Sequence, residues 1–198
     1  GGQRDPAEHL IAQLQDVDAE VRYNALAALV ELEGEHVDAA LAGAVDDADP
    51  HVRTVALTAL GSRGPAAAAH LSRITPALND AERSVRLTAA LAVQRIAPRD
   101  ERSQEILTRA LRDGEGGVFL EVAELGSDAG WAVPTLKKLL RHREIKIRHL
   151  AAHTLGQLGP TAADAESALK EAAKYDPEEE VRLRATEALE AITSRSME

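Results

Sequence analysis

The sequence predicts an all-α chain, an α-solenoid in which about six two-helix repeats wind into a right-handed superhelix. Three observations predict it. Alanine and leucine dominate a 44% hydrophobic fraction, while aromatics make up only 2% of residues; both are strong helix formers, and small side chains let helices pack closely. An apolar residue followed by arginine recurs as Val21-Arg22, Val52-Arg53, Val85-Arg86, Ile147-Arg148 and Val181-Arg182, with arginine spacings of 31, 33, 62 and 34 residues. After each pair, apolar residues follow at helical intervals, as in Val21, Ala25, Leu29 and Leu32, which marks one buried stripe.

The interval of 62 holds one more repeat, with Val118-Phe119 at the place of the apolar-arginine pair, and this divides it into 33 and 29. Second helices are therefore expected to begin near Val21, Val52, Val85, Val118, Ile147 and Val181, within one domain over 3–198. Five residues before the apolar anchor stands Asp16, Asp47, Asp80, Asp113 or Asp176, with His142 replacing it in repeat five. Each is preceded by a further apolar segment, from Leu10-Ile11-Leu14 in repeat one to Leu169-Ala172-Ala173 in repeat six. Each repeat thus reads as helix, tight turn, helix. Asp49-Pro50, Gly64-Pro65, Ala97-Pro98, Gly159-Pro160 and Asp176-Pro177 fall between helices, as breakers should. Pro76 and Pro134 lie inside first helices, where a bend is expected because a backbone hydrogen bond is missing.

The stretches DVDAEVRYNALAAL, DADPHVRTVALTALG, DAERSVRLTAALAV, IKIRHLAAHTLGQLG and DPEEEVRLRATEAL resemble HEAT repeats, in particular the short bacterial form named after phycobilisome lyases. The resemblance implies a ladder between adjacent repeats, made by the turn aspartates and by Arg22, Arg53, Arg86, Arg148 and Arg182. It also implies that second helices line a concave surface. Elementary electrostatics agrees: a carboxylate at a helix start accepts backbone N–H bonds, and an arginine adds charge-assisted, bidentate ones.

Composition excludes several classes of function. Without cysteine there are no disulfides, thiolate metal sites or cysteine nucleophiles. Residues 1–50 carry 12 acidic and 2 basic side chains, which accounts for the whole net charge of −10 and repels nucleic-acid backbones. A continuous basic stripe is absent, so no nucleic acid is expected. No apolar run suits membrane insertion. The chain opens Gly1-Gly2-Gln3 without methionine, so the natural start is expected upstream; the place is read as cytoplasmic by default, with an extracytoplasmic one left open. No Gly-rich phosphate loop, nucleophile elbow or HExxH occurs. His149 and His153 are spaced to share a metal, and RHLAAHTLGQLG is similar to helices of deoxyhypusine hydroxylases, but the glutamate that should follow each histidine is Leu150 or Thr154. No enzyme activity, cofactor, metal or small-molecule ligand is expected.

The expected function is a protein-binding scaffold whose concave face takes another protein. The rows that leave the buried stripe are Asn24, Ala27 and Glu31; Val55, Thr58 and Ser62; Thr88, Leu91 and Arg95; Glu121, Glu124 and Asp128; Leu150, His153 and Gln157; Arg184, Glu187 and Ala191. Repeat four stands out, with the only Phe, Phe119, followed by the only Trp, Trp131, beside an acidic stretch and then a basic one that includes Lys137 and Arg141. Phe119, Trp131, Glu121, Glu124, Asp128, Lys137, Arg141 and His153 are therefore candidate partner contacts, since aromatics and arginine are enriched at binding hot spots. The competing reading makes Phe119 and Trp131 ordinary packing. The repeat subtype also implies an alternative function, a bilin lyase or isomerase subunit holding an open-chain tetrapyrrole.

Overall fold

The computed structural model describes residues 6–194, and all regular structure among them is helical. The expected domain limits at 3 and 198 lie outside them. The chain divides into two compact units, one running through Ser103 and one starting at Gln104, where the periodicity gave one domain. A repeat array is held by nearest-neighbour contacts, so it has no single core that would keep it undivided.

The N-terminal unit holds repeats one to three: α1 (Pro6–Gln13) with α2 (Ala19–Val30), α3 (Glu35–Ala44) with α4 (Pro50–Ser62), and α5 (Leu71–Ile74) with α6 (Arg83–Ile96). Then α7 (Glu101–Arg112) starts across the boundary, and the C-terminal unit continues with α8 (Gly116–Glu124), α9 (Val133–Leu139) with α10 (Ile145–Leu158), and α11 (Glu166–Tyr175) with α12 (Glu179–Ser194). In all six second helices the anchor is the third helical residue. Val118 keeps this register, so the alignment of the divergent fourth repeat holds.

Why the helices start where they do is visible in the turns. Asp18 accepts the backbone N–H of Glu20 and Asp49 those of His51 and Val52, covering donors that a helix start leaves unpaired. One step earlier, the repeated aspartate accepts the N–H two residues on: Asp16 from Asp18, Asp47 from Asp49, Asp80 from Glu82 and Asp176 from Glu178. His142 does the same work with Nδ1, which accepts the N–H of Glu144 at 3.1 Å.

The expected ladder is present inside each unit. Arg22 reaches Asp47 and Arg53 reaches Asp80, each through Nε and Nη2 at 2.8 Å; Arg148 reaches Asp176 at 2.7 and 3.0 Å. The remaining nitrogen, Nη1, turns back to two carbonyls of the arginine's own turn: Asp16 and Val17, Asp47 and Ala48, or His142 and Arg143. Arg86 and Arg182 hold their turns in the same way.

Second helices meet through small residues. A Cβ on Gly61 of α4 would lie 2.9 Å from the Ala92 Cα of α6, and one on Gly156 of α10 would lie 3.0 Å from the Ala188 Cα of α12. Larger side chains are shut out of the same register position in both units. Leucines such as Leu26, Leu57 and Leu155 of these helices, and Leu107 of α7, are fully buried.

First helices are less regular than expected. Three-ten segments open those of repeats three, five and six at Gly64, Gly126 and Gly159. Gly159, at φ +54° and ψ −133°, holds a backbone conformation that a side chain would strain. Pro76 does more than the expected bend: the α-helix ends at Ile74, leaving the four-residue α5 between three-ten segments. Pro134 does not bend one: it is the second residue of α9, where the missing N–H would have had no helical partner. The short interval from Val118 to Ile147 also has a cause. α8 has 9 residues against 12–16 in the other second helices, a loss of about one turn.

Two predictions follow from these contacts. Burial would push the carboxyl of Asp176 up, but the Arg148 hydrogen bonds, the Glu178 N–H and the charges of Arg148 and Arg182 hold it below the usual carboxylate range; Asp47 and Asp80 are held down in the same way by their own arginines. A folded value below the unfolded one stabilises the fold above about pH 4 and is lost as pH falls through it. The Arg148 and Asp176 side chains are only 10% and 4% exposed, so Arg148→Ala or Asp176→Ala should lower the unfolding free energy by about 3–5 kcal/mol in urea titrations at pH 7. The Asp176→Ala deficit should shrink below about pH 4. Gly156→Ala should destabilise by about 1–3 kcal/mol through overpacking, whereas Gly117→Ala, whose Cβ meets nothing within 4 Å, should be neutral or stabilise by up to about 1 kcal/mol in calorimetry.

Candidate functional site

None of the residues in the six expected rows is buried. In the N-terminal unit this surface carries charge only at the ends of two rows, Glu31 and Arg95; the rest is Asn24 and Ala27 on α2, Val55, Thr58 and Ser62 on α4, and Thr88 and Leu91 on α6. Its threonines donate to backbone carbonyls one turn back, Thr58 to Thr54 and Thr88 to Ser84, and so present mainly their methyl groups. The C-terminal unit is different. There α8, α10 and α12 pack in order and carry Glu121 and Glu124, then His149 and His153, then Arg184 and Glu187.

These groups are coupled across helices. Arg184 Nε of α12 lies 3.4 Å from His149 Nε2 of α10, and Arg184 Nη1 donates to Glu187 at 2.6 Å. His153 stands one turn along from His149 and is half-buried. Burial, then the charges of Arg184 and His149, push its pKa below the ordinary histidine value, against the opposite pull of Glu187. Leu120 of α8 and Leu183 of α12 sit at the same register as His149, two residues after their anchors, and are 51% and 60% exposed. The surface therefore offers two apolar contacts around a polar centre, an arrangement that suits recognition of another polypeptide.

Several expected contacts are placed elsewhere. Phe119 is fully buried and is not an anchor; it takes the register of the ladder arginine, which faces inward, and its carbonyl accepts the Thr154 hydroxyl at 3.2 Å. Trp131 is half-buried in a three-ten segment, with its indole N–H enclosed and unpartnered. Asp128 is exposed but off α8, which ends at Glu124, because the missing turn moves it into that segment. Lys137 and Arg141 belong to α9 and the turn after it, and Arg141 pairs with Glu171 of α11 at 2.5 Å. The structure thus brings Glu121, Glu124 and His153 onto the second-helix side and leaves the other five off it. Leu120, His149 and Leu183, two residues after their anchors, lie outside the expected rows and were missed, while Arg184 stood in those rows without being among the candidate contacts; comparing second helices at the register two after the anchor would have found the three. Among the described residues no group of three histidines, aspartates or glutamates converges to hold a metal, and no helix is long and apolar enough to cross a membrane.

The family description of HEAT repeats matches residues 7–75 and 120–190, more than half of the chain. The chain belongs to the HEAT-repeat family. The unmatched stretch between those regions runs from just before the second helix of repeat three to the start of α8, yet its helices keep the HEAT register described above. Among curated proteins none matches the chain. Its fold is similar to that of an engineered protein, with 19% identity, a TM-score of 0.58, and coverage of 96% of this chain and 98% of that one. It is similar to the complex of CpcE and CpcF of phycocyanin lyase from Nostoc sp. PCC7120, with 23% identity, a TM-score of 0.59, and coverage of 97% and 79%. A designed armadillo repeat protein in complex with the peptide (KR)4 has 20% identity, a TM-score of 0.60, and coverage of 96% and 100%. These likenesses concern the fold.

A depressed histidine pKa favours the neutral ring in the folded chain, so its contribution to stability is present above the unfolded value of about 6.5 and lost as pH falls through the folded value. The His153 ring proton signals should accordingly titrate below pH ~6.5 in NMR spectra. Arg184→Gln should move that midpoint upward; no movement would leave burial and the His149 charge as the causes of the depression.

Proposed function

We propose that this HEAT-repeat chain is a non-catalytic protein-binding module whose partner lies across α8, α10 and α12. The observation that carries this reading is the coupled group His149, His153, Arg184 and Glu187, flanked by the exposed Leu120 and Leu183. The two exposed leucines supply apolar contact area on either side of the polar group, while the polar group sets orientation and excludes wrong partners. The designed armadillo protein bound to (KR)4 and the CpcE–CpcF complex support the reading, because in both a related fold holds another polypeptide.

Affinity capture with the immobilised chain, followed by mass spectrometry, provides the partner. The double variant Leu120→Ala/Leu183→Ala should then weaken capture at least ~10-fold, corresponding to about 1.4 kcal/mol. Its thermal midpoint should move little, because both side chains are exposed. Retained affinity would remove this face from the proposal. The bilin lyase reading makes a different prediction, a new visible absorption band on mixing with an open-chain tetrapyrrole. No such band is expected.

A further inference from the structure

At the turn end of the N-terminal unit, between α1 and α3, lies an open hollow of about 470 Å³. Its floor is apolar and shallow: Ile11 and Leu14 come from α1 and the turn after it, Ala40 and Gly43 from α3. Gly43 makes the room, since a Cβ there would have nothing within 4 Å. On the rim stand the exposed carboxylates of Asp16 and Asp46. The nearest cation, Arg22, is engaged at the back wall by Asp47 and by the Asp16 and Val17 carbonyls. Arg73 touches Asp46 only at 3.3 Å, in a pair more than half exposed on both sides, and such pairs contribute little. The lining residues Asp16, Asp46, Asp47 and Arg22 therefore leave an excess of two negative charges. The corresponding hollow of the C-terminal unit, about 290 Å³, carries no such excess, because Arg148 is matched by Asp176 and Arg141 by Glu171.

We infer that the α1–α3 hollow is a docking site for a basic polypeptide segment, with one lysine or arginine laying its aliphatic stem on the apolar floor and its charge between Asp16 and Asp46. The shape and the charge select the same occupant. Long basic side chains cover apolar surface with their methylenes while keeping the cation at a polar rim. Net acidity of residues 1–50, with 12 acidic and 2 basic side chains, adds attraction at longer range. This site lies in the other unit from the proposed partner face, so either can fail without the other.

The test is fluorescence anisotropy of a labelled octa-arginine peptide with the whole chain at 50 mM salt, with octa-glutamate as control. Binding of octa-arginine alone is expected. Gly43→Leu fills the hollow from an exposed helical position and should preserve helicity while weakening binding at least tenfold. Asp16→Asn/Asp46→Asn should weaken it at least fivefold and flatten its salt dependence. Glu33→Gln/Glu35→Gln removes the same charge away from the hollow and should change affinity less than twofold. Full affinity in Gly43→Leu would overturn the proposal, as would equal loss in the Glu33/Glu35 variant, which reduces the effect to general acidity. Absence of octa-arginine binding would overturn it too.

Discussion

Arg22, Arg53 and Arg148, each following an anchor, hold two turns at once, and the rest of the structure depends on the double grip of each such arginine. Its Nη1 is bound to the carbonyls of its own turn, so the guanidinium plane is already fixed when Nε and Nη2 meet the next aspartate. A planar fork held in this way transmits orientation, which a lysine could not do. The aspartate is bound in turn to the N–H that opens its own second helix. Rotation and helix start are thereby set together, repeat by repeat. Distance is set separately, by the Gly61–Ala92 and Gly156–Ala188 contacts, which admit no added carbon.

Much of this was legible because it is periodic. Six anchors, their third-residue positions and the aspartate–arginine spacing all follow from local rules that repeat, and a repeated signal survives one weak copy. What stayed hidden is what the period does not encode. Pro134 could be read as a helix interior or a helix start, and only the preceding three-ten segment from Gly126 to Ala132 makes it a start. The division after Ser103 leaves no mark on the anchors. Phe119 had two readings in the sequence, with packing the favoured one, since register alone does not tell whether a substituted position keeps its inward direction; its complete burial decides for packing.

The candidate face was only partly legible, for a geometric reason. In a helix-turn-helix repeat, residues adjacent in sequence pass from one helix layer to the other every fifteen or so positions. The acidic-to-basic change between Asp113 and Arg148 looked like one boundary, but Lys137 and Arg141 follow α9 while Glu121 and Glu124 follow α8. A charge pattern along the chain therefore becomes two patterns on two sides. The informative comparison runs across repeats at equal register: Leu120, His149 and Leu183 two residues after the anchor, and Glu124, His153 and Glu187 six residues after it.

Read at equal register, the two oddities of the central repeats become one. Every rung within a unit joins the arginine of one repeat to the aspartate of the next. The rung from repeat four to repeat five would use the positions of Phe119 and His142, so its two substitutions are the two ends of a single missing link. His142 keeps the local half of the aspartate's work, accepting the Glu144 N–H. Phe119 replaces a directional ion pair by apolar burial, which holds surfaces together without fixing their rotation. The Thr154 hydroxyl on the Phe119 carbonyl is a directional contact between these helices. α8, the shortest second helix, thus meets α10 without an arginine–aspartate rung, across the buried Phe119. It is also the helix that contributes Leu120, Glu121 and Glu124 to the proposed partner face, so the geometry of that face is governed by packing under Phe119 more than by the ladder.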